Sequence, residues 1–455
     1  MAKSTAKTEA VGESYLLGRP KYLVLFKEPT SRAVTLMSKV LDTGEAKGLS
    51  ARATCTVLAA KDQVHTRVYT RLGVAACNLN TDEIDELRKN DTVEAVVLNE
   101  ERHIPQPVTA AVASEAAQTS SDALVTYLQG MRDAIDTVLR HLGAPRSAAL
   151  TPALPGLPAA MGLEPLAIDP NFSWCLQLIG MSPSYQVATG SGVIVAVLDT
   201  VLDLNHPDFQ GRVREGDNGR SFVPGEGLQD GNGHGTHCAG VVAGPRNSAG
   251  GRRYGVAPDA DLIAGKVLSD AGSGHDDQIL DGIDWAADFG AQVISMSLGS
   301  ERSPGQPFAS PYERIAERLL ASGVMIVAAA GNESNRPFSK AAVGNPAACP
   351  SVMAVAAVDR HRQVGSFSCA QLDGIGTLDV SGPGVAVYSS WTGGGFRTIS
   401  GTSMATPHVA GVAALYRQKL PSLSAQALWN MLMSQALPLG PSEDFGRGLV
   451  QVPKA

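Results

Sequence analysis

Three residue types that together can activate a hydroxyl stand in three short segments. Asp199 lies in VAVLDT, His234 in NGHGTHCAG and Ser403 in SGTSMATPHVAG. A serine hydroxyl is a poor nucleophile until a base takes its proton, and an imidazole can accept and return that proton near neutral pH. A carboxylate on the other ring nitrogen fixes the tautomer and stabilises the cation. The three residues fit covalent catalysis with Ser403 as nucleophile, His234 as general base and Asp199 as orienting acid. A fourth segment, VAAAGNES, places Asn332 where its amide can donate to an oxyanion beside the Ser403 N–H. Taken singly, the segments say little. An Asp after a strand is commonly a cap, GTS at a helix start is commonly an N-cap, and HGTH is commonly structural or metal-binding. Their joint occurrence, in this order, carries the specificity.

The positioning elements follow from hydrophobic patterning. VIVAVL (193–198), ADLIAGKVL (260–268), AQVISMSL (291–298), VMIVAAA (324–330) and VMAVAAV (352–358) are largely apolar runs, the mark of strands covered on both faces. Helical patterns at 235–244, 277–289 and 309–321 lie between them. The predicted fold is α/β, a doubly wound, mostly parallel sheet over 171–455, with its ligand beyond the carboxyl ends of the strands. Asp199 then follows a strand, while His234 and Ser403 open helices whose free N–H groups favour negative charge. Pro407 is placed near the first turn of the Ser403 helix, where proline is tolerated.

Upstream, KYLVLFK (21–27) reads as a strand and 31–41 as an amphipathic helix. Residues 67–78 read as strand-like, 81–90 as a short capped helix and 93–98 as a last strand, with an extra strand near 53–59. The order suits a small α+β domain. Residues 1–20 are expected to be disordered. Residues 109–170 read as a Pro- and Ala-rich linker with one helix at about 122–142.

The motifs VAVLDT, HGTHCAG, MSLG, AAAGNE, SFS and GTSMATPHVAG, with the closing DFGRGLV, resemble the subtilases, the subtilisin-like serine peptidases, over about 174–452. The resemblance implies a subtilisin-like fold and a serine endopeptidase working through an acyl-enzyme. It gives Ser403, His234, Asp199 and Asn332 the roles argued above. KYLVLFKE and NLNTDEIDELRKNDTVEAVVLNEERH resemble the family's propeptide, which implies that 21–108 is an inhibitory domain of a self-processing zymogen. Autocleavage is expected within 105–116, with a second cut between 144 and 161. Substrate is expected to lie as an extended strand between Gly272-Ser273-Gly274 and Ser297-Leu298-Gly299. The pocket for P1, the residue before the scissile bond, is placed between Ser297–Gly299 and Ala328–Gly331, with Ala329 and Gly331 among its residues and Gly344 at its floor. Small, uncharged walls favour Leu, Met, Phe or Tyr there. For P4, the apolar floor is assigned to Ile279 and Leu298, with Leu268 also among the substrate-binding residues. Asp276 stands at the lip in place of an aromatic residue and is expected to admit Lys or Arg, with an effect that fades with salt at a solvated lip. The competing assignment is that Asp276 and Asp277 only cap a helix.

Two departures from the family pattern stand out. Val201 follows Asp199-Thr200 where a glycine is usual, so the turn there is expected to differ. The loop 245–254 resembles the family's calcium loop, with Asp208 and Asn247 as candidate ligands, but Arg252 and Arg253 count against a cation. No cofactor is required by the chemistry. Cys238, four residues after His234, is matched by a cysteine in one branch of the family; its plain reading is a small buried hydrophobe. His237 and His408 read as structural histidines.

Composition limits the alternatives. Net charge is −7 and no basic run suggests nucleic acid. No run reaches the roughly 18 apolar residues of a membrane helix. The first 20 residues carry no signal-peptide h-region, so the expectation is a cytoplasmic protein or one exported without a leader. Six scattered cysteines, without a CxxC pair, fit free thiols and not zinc. The expected partners are protein or peptide substrates and the chain's own N-terminal domain. A catalytically silent scaffold or binding protein on this fold is the alternative, and it predicts loss of at least one of the four residues. An acid-active relative would carry Glu for His234 and Asp for Asn332.

Overall fold

The computed structural model describes residues 20–28, 32–41, 55–58, 66–105, 108–109 and 169–454. The expected disordered N-terminus, the helix at about 122–142 and the second cleavage window lie outside the described residues. Residues up to 107 and from 168 onward form one compact unit. A second unit, 108–167, is described only at the short strand Val108–Thr109.

The small N-terminal sheet has strands β1 (Tyr22–Phe26), β2 (Cys55–Leu58), β3 (Thr66–Tyr69), β4 (Val74–Cys77) and β5 (Val93–Leu98), in the order β2-β3-β4-β1-β5. All its pairings are antiparallel. The stretch 67–78 is thus a hairpin, not one strand. Gly73, at φ 65°, supplies the left-handed turn residue. Alternation divides the strands between two cores. Val24, Phe26, Ala75 and Cys77 pack with Met37 and Leu87 of helices Arg32–Val40 and Thr81–Arg88. Leu23, Leu25, Val74 and Ala76 face the other way, into a cluster with Ile283 and Leu319.

Those two residues belong to helices Asp276–Phe289 and Ser310–Ala321 of the larger domain. A fully buried leucine contributes about 1.5–3 kcal/mol, so this apolar face anchors the small sheet. Charges frame it. Arg67 pairs with Asp277 and Asp281, Tyr69 Oη donates to Asp281 at 2.7 Å, and Arg314 bonds Glu94 at 2.5 Å. From β5 the chain runs into strand β6 (Glu101–His103).

The large sheet contains β8 (Ile194–Asp199), β9 (Gly219–Ser221), β10 (Asp261–Lys266), β12 (Val293–Met296), β13 (Met325–Ala329), β14 (Met353–Val358) and β15 (Val380–Pro383), with β7 being Val108–Thr109 and β11 Ser273–His275. Its order is β15-β14-β13-β12-β8-β10-β9 and every pairing is parallel. The five predicted strands are all present. β9 and β15 are edge strands that hydropathy did not mark. Ala196 and Leu198 of β8 join the cluster beneath helices Asp276–Phe289 and Ser310–Ala321, so Val195 and Val197 face the opposite side. Helix Thr402–Lys419 lies along helix His234–Ala243 and against β12 to β15. The chain enters the sheet at β8, lays β9 at one edge, fills β10 between the two, then reverses through β12. The switch point is therefore the β8/β12 boundary, where an open α/β sheet leaves a crevice for its ligand. A final hairpin, β16 (Val387–Trp391) and β17 (Gly395–Ser400), leads into the Ser403 helix. Among the described residues, no helix is long and apolar enough to cross a membrane.

Candidate active site

Asp199 is the last residue of β8, at the switch point. Its Oδ1 accepts the Thr200 backbone N–H at 2.7 Å and meets His234 Nδ1 at 2.8 Å, with Oδ2 at 3.1 Å. His234 is the first residue of its helix and is placed by the loop before it. Gly233 takes φ 103°, and a side chain there would strike Trp391. Asp230 holds the loop, accepting from the N–H groups of Asn232, Gly233 and Thr236 and from the Thr236 and Thr200 hydroxyls. Asp230 is not among the residues singled out from the sequence, where DGNGHG marks only a turn-rich loop.

The turn after Asp199 does not avoid the left-handed region. Val201 sits at φ 82°, fully within it. Such a conformation costs a non-glycine residue on the order of 1–3 kcal/mol. Gly235 packs directly on this backbone, and a Cβ on it would lie 2.1 Å from the Val201 oxygen. The close approach of the two segments holds the turn, and Val201 is buried in return.

Ser403 is the second residue of its helix and Pro407 the sixth, one turn deeper than the sequence suggested. Proline has no N–H to return to the carbonyl four residues back. The Ser403 carbonyl is thereby released. It accepts the Ser297 hydroxyl at 2.8 Å and the Cys238 thiol at 3.5 Å. Cys238 Sγ also lies 3.9 Å from His234 Nδ1. Burial pushes its pKa up, so it remains a neutral thiol packed between base and nucleophile.

Asp199, His234 and Ser403 are all buried. Burial opposes charging of the His234 ring, yet the Asp199 carboxylate outweighs it and holds the pKa well above the usual imidazole value. His234 Nε2 is buried and has no hydrogen-bond partner among the described residues. The Ser403 hydroxyl donates to the Ser297 carbonyl at 3.5 Å. His237 and His408 bond the carbonyls of Val387 and Met404, and burial lowers their pKa values to about 3 and about 4, so both stay neutral.

Asn332 is aimed by Thr402, which the sequence reading did not single out. The Asn332 Oδ1 accepts both the Thr402 N–H and its hydroxyl, each at 2.8 Å. Nδ2 therefore faces the cleft, where it donates to the Pro105 carbonyl at 3.1 Å. Gly331, at φ 112°, is held by Thr402 Oγ1.

The expected substrate edges are occupied by the chain's own segment 101–105. β6 pairs antiparallel with β11, so His103 faces Ser273, Arg102 faces Gly274 and Glu101 faces His275. The Ile104 N–H donates to the Gly272 carbonyl, and His103 and Gly299 exchange both backbone bonds, each at 2.9 Å. Leu268, Ile279 and Leu298 are buried in the cluster that also holds Ile104. Gly344 lies near Ser300 and Ala330, with a Cβ on it 2.6 Å from the Ser300 oxygen, and Ala329 ends β13.

Asp276 is not a solvated lip but is buried beneath Arg102 and Tyr312. Nor do the two aspartates cap the helix. His275 is the cap residue, the Asp276 carboxylate meets Arg102 and Tyr312, and the Asp277 carboxylate meets Arg67 and Asn99. The calcium loop also fits poorly. The Asp208 carboxylate accepts from Ser248 Oγ, Ala249 N and Tyr254 Oη, each at 2.7 Å, and Asn247 is exposed. Calcium requires oxygen lone pairs, and these three partners present donors. Both oxygens of the Asp208 carboxylate are thus taken up by these donors.

The site therefore combines a buried Asp–His pair, a serine at a helix start, an amide aimed at a carbonyl, and two backbone edges holding an extended chain. The subtilase family's sequence model matches residues 190–448, and the chain belongs to that family. It is 44% identical to subtilisin E of Bacillus subtilis (strain 168) over 269 residues, 59% of this chain and 66% of that one. It is 43% identical to subtilisin of Bacillus pumilus, spanning 92% of that protein. Among solved structures, sphericase superposes with a TM-score of 0.53 at 35% identity, covering 61% of this chain and 97% of its own. The subtilisins are serine endopeptidases.

Proposed function

We propose that this protein is a serine endopeptidase made as a self-processing zymogen, with residues 21–108 as the inhibitor of its own cleft. The observation that carries the proposal is the Pro105 carbonyl, held 3.1 Å from Asn332 Nδ2 by a segment paired to both cleft edges. A substrate carbonyl at that place is polarised by the Asn332 amide and the Ser403 N–H. His234 Nε2 takes the Ser403 proton as Oγ attacks the carbonyl carbon, and Asp199 stabilises the imidazolium. The tetrahedral oxyanion rests on the two N–H donors. His234 then gives the proton to the departing amine, leaving an acyl-enzyme. Water, deprotonated by the same histidine, hydrolyses it. Replacing Asn332 by alanine is expected to lower kcat by about 10²–10³ with little change in KM, because the donor acts mainly on the oxyanion. An equal rise in KM without loss of kcat would show that Asn332 only binds substrate.

Ser297, Leu298, Gly299, Ala329, Gly331 and Gly344 are themselves uncharged, which supports an apolar P1 preference, with the Glu333 carboxylate standing beside Gly331. Pro105 itself is a poor occupant. It has no N–H to offer the Ser297 carbonyl, which accepts the Ser403 hydroxyl instead. The N-terminal segment thus binds as substrate does while reacting slowly. Self-cleavage is expected within 105–116, with the bond after Pro105 presented first. Mass spectrometry of purified protein should show the cut in the native chain and none in Ser403→Ala. Identical processing of both would assign it to another protease.

A further inference from the structure

The segment in the cleft also shows what the neighbouring subsite recognises. Counting from Pro105 at P1, Arg102 is at P4. Its guanidinium is almost fully buried, at 2% exposure. Nε and Nη2 meet the two Asp276 oxygens at 2.6 and 3.0 Å, and Nη1 donates to Ser300 Oγ at 2.6 Å. The Tyr312 ring lies beneath it, with 5.5 Å from Cζ to the ring centroid, and Tyr312 Oη donates to Asp276 Oδ1 at 2.8 Å. Glu100, on the N-terminal segment itself, adds an outer contact to Nη2 at 2.9 Å.

We propose that Asp276, Ser300 and Tyr312 form a guanidinium-selective subsite, so that the enzyme prefers substrates with arginine at P4. The inference deepens the peptidase reading and rests on it. All three groups belong to the enzyme body and remain when the N-terminal segment leaves. Asp276 is not consumed by its own helix, since His275 occupies the cap position and Gln278 bonds back to it. The Tyr312 hydroxyl remains as the side-chain donor to the Asp276 carboxylate once Arg102 is gone. A planar fork satisfies both Asp276 oxygens and reaches Ser300 at once, while stacking on the tyrosine. A lysine brings the charge without the fork. A leucine leaves the carboxylate buried without a counter-charge, and a glutamate adds repulsion.

The test uses the purified protein and four peptides identical except at P4, which is Arg, Lys, Leu or Glu, each with an apolar P1. Hydrogen bonds to charged groups predict a kcat/KM for the Arg peptide about 10- to 100-fold above that for Leu, with Lys between and Glu lowest. Asp276→Asn should collapse the Arg-to-Leu ratio to within about 3-fold. Ser300→Ala should lower it by about 3- to 10-fold, and it keeps the test open if the first variant folds poorly. A Leu peptide cleaved as well as the Arg peptide by the native protein would overturn the proposal, as would an unchanged ratio in both variants. Either result would mean that the pocket serves only to seat Arg102. Failure to cleave any of the four, with no labelling by a fluorophosphonate, would instead overturn the peptidase reading and the subsite with it.

Discussion

Replacing Ser403 by alanine is expected to lower kcat by about 10⁶, the scale that removal of this hydroxyl has in subtilisin itself. A loss of that size is about 8 kcal/mol of transition-state stabilisation. It arises because the covalent route disappears, leaving only the Asn332 and Ser403 N–H donors and substrate positioning to act on a water attack. The fold should survive. The lost side-chain bond is the 3.5 Å contact to the Ser297 carbonyl, worth about 1 kcal/mol. His234→Ala should cost a similar factor, and the double variant scarcely more, because nucleophile and base act as one unit. Steady-state hydrolysis of a chromogenic peptide, with circular dichroism as the folding control, reads both quantities. Near-native turnover by folded Ser403→Ala protein would remove Ser403 from the mechanism.

Asp199→Asn carries the second largest expected effect, about 10⁴ in kcat at neutral pH, as the same change does in other serine peptidases. Asparagine can donate to Nδ1, which favours the wrong tautomer, and it cannot stabilise the imidazolium. The pH profile separates this role from simple damage. His234 must be neutral to take the Ser403 proton, so activity rises as pH increases through its pKa. The Asp199 charge holds that pKa well above 6.5, which places the acid limb of kcat/KM above that pH. In Asp199→Asn the raising charge is gone and burial remains, so the limb should move to lower pH while the plateau falls. A limb that stays in place would show that Asp199 does not set the His234 pKa.

Much of this arrangement was legible because buried parallel strands write their burial into sequence. VAVLD, VISM and MIVAA are apolar on both faces, and the residues at the ends of such strands mark the crevice. The parts that stayed hidden have physical reasons. β9 and β15 are short edge strands, GRS and VSGP, with no apolar pattern to detect. The break within 67–78 was signalled only by Gly73. Valine at 201 looked incompatible with φ > 0 because local preference was weighed without the Gly235 backbone that packs on it. The P4 subsite was half visible. Asp276 was marked by the resemblance, which puts it at the P4 lip in place of an aromatic residue, but Tyr312 lies on a different helix, 36 positions on, and no local spacing links them. Thr402 and Asp230 act by aiming Asn332 and the His234 loop, and such indirect roles follow from hydrogen-bond geometry, which residue type alone does not reveal.

Labelling with a fluorophosphonate tests the central claim most directly, because the reagent phosphonylates a serine only where a base and an oxyanion site activate it. Under conditions where peptide hydrolysis is measured, the account predicts incorporation approaching one label per chain, located on the Ser403 peptide by tandem mass spectrometry. Hydrolysis should fall in proportion to incorporation, and Ser403→Ala protein should take up none. Equal incorporation in both proteins, or hydrolysis that persists after full labelling of Ser403, would contradict it.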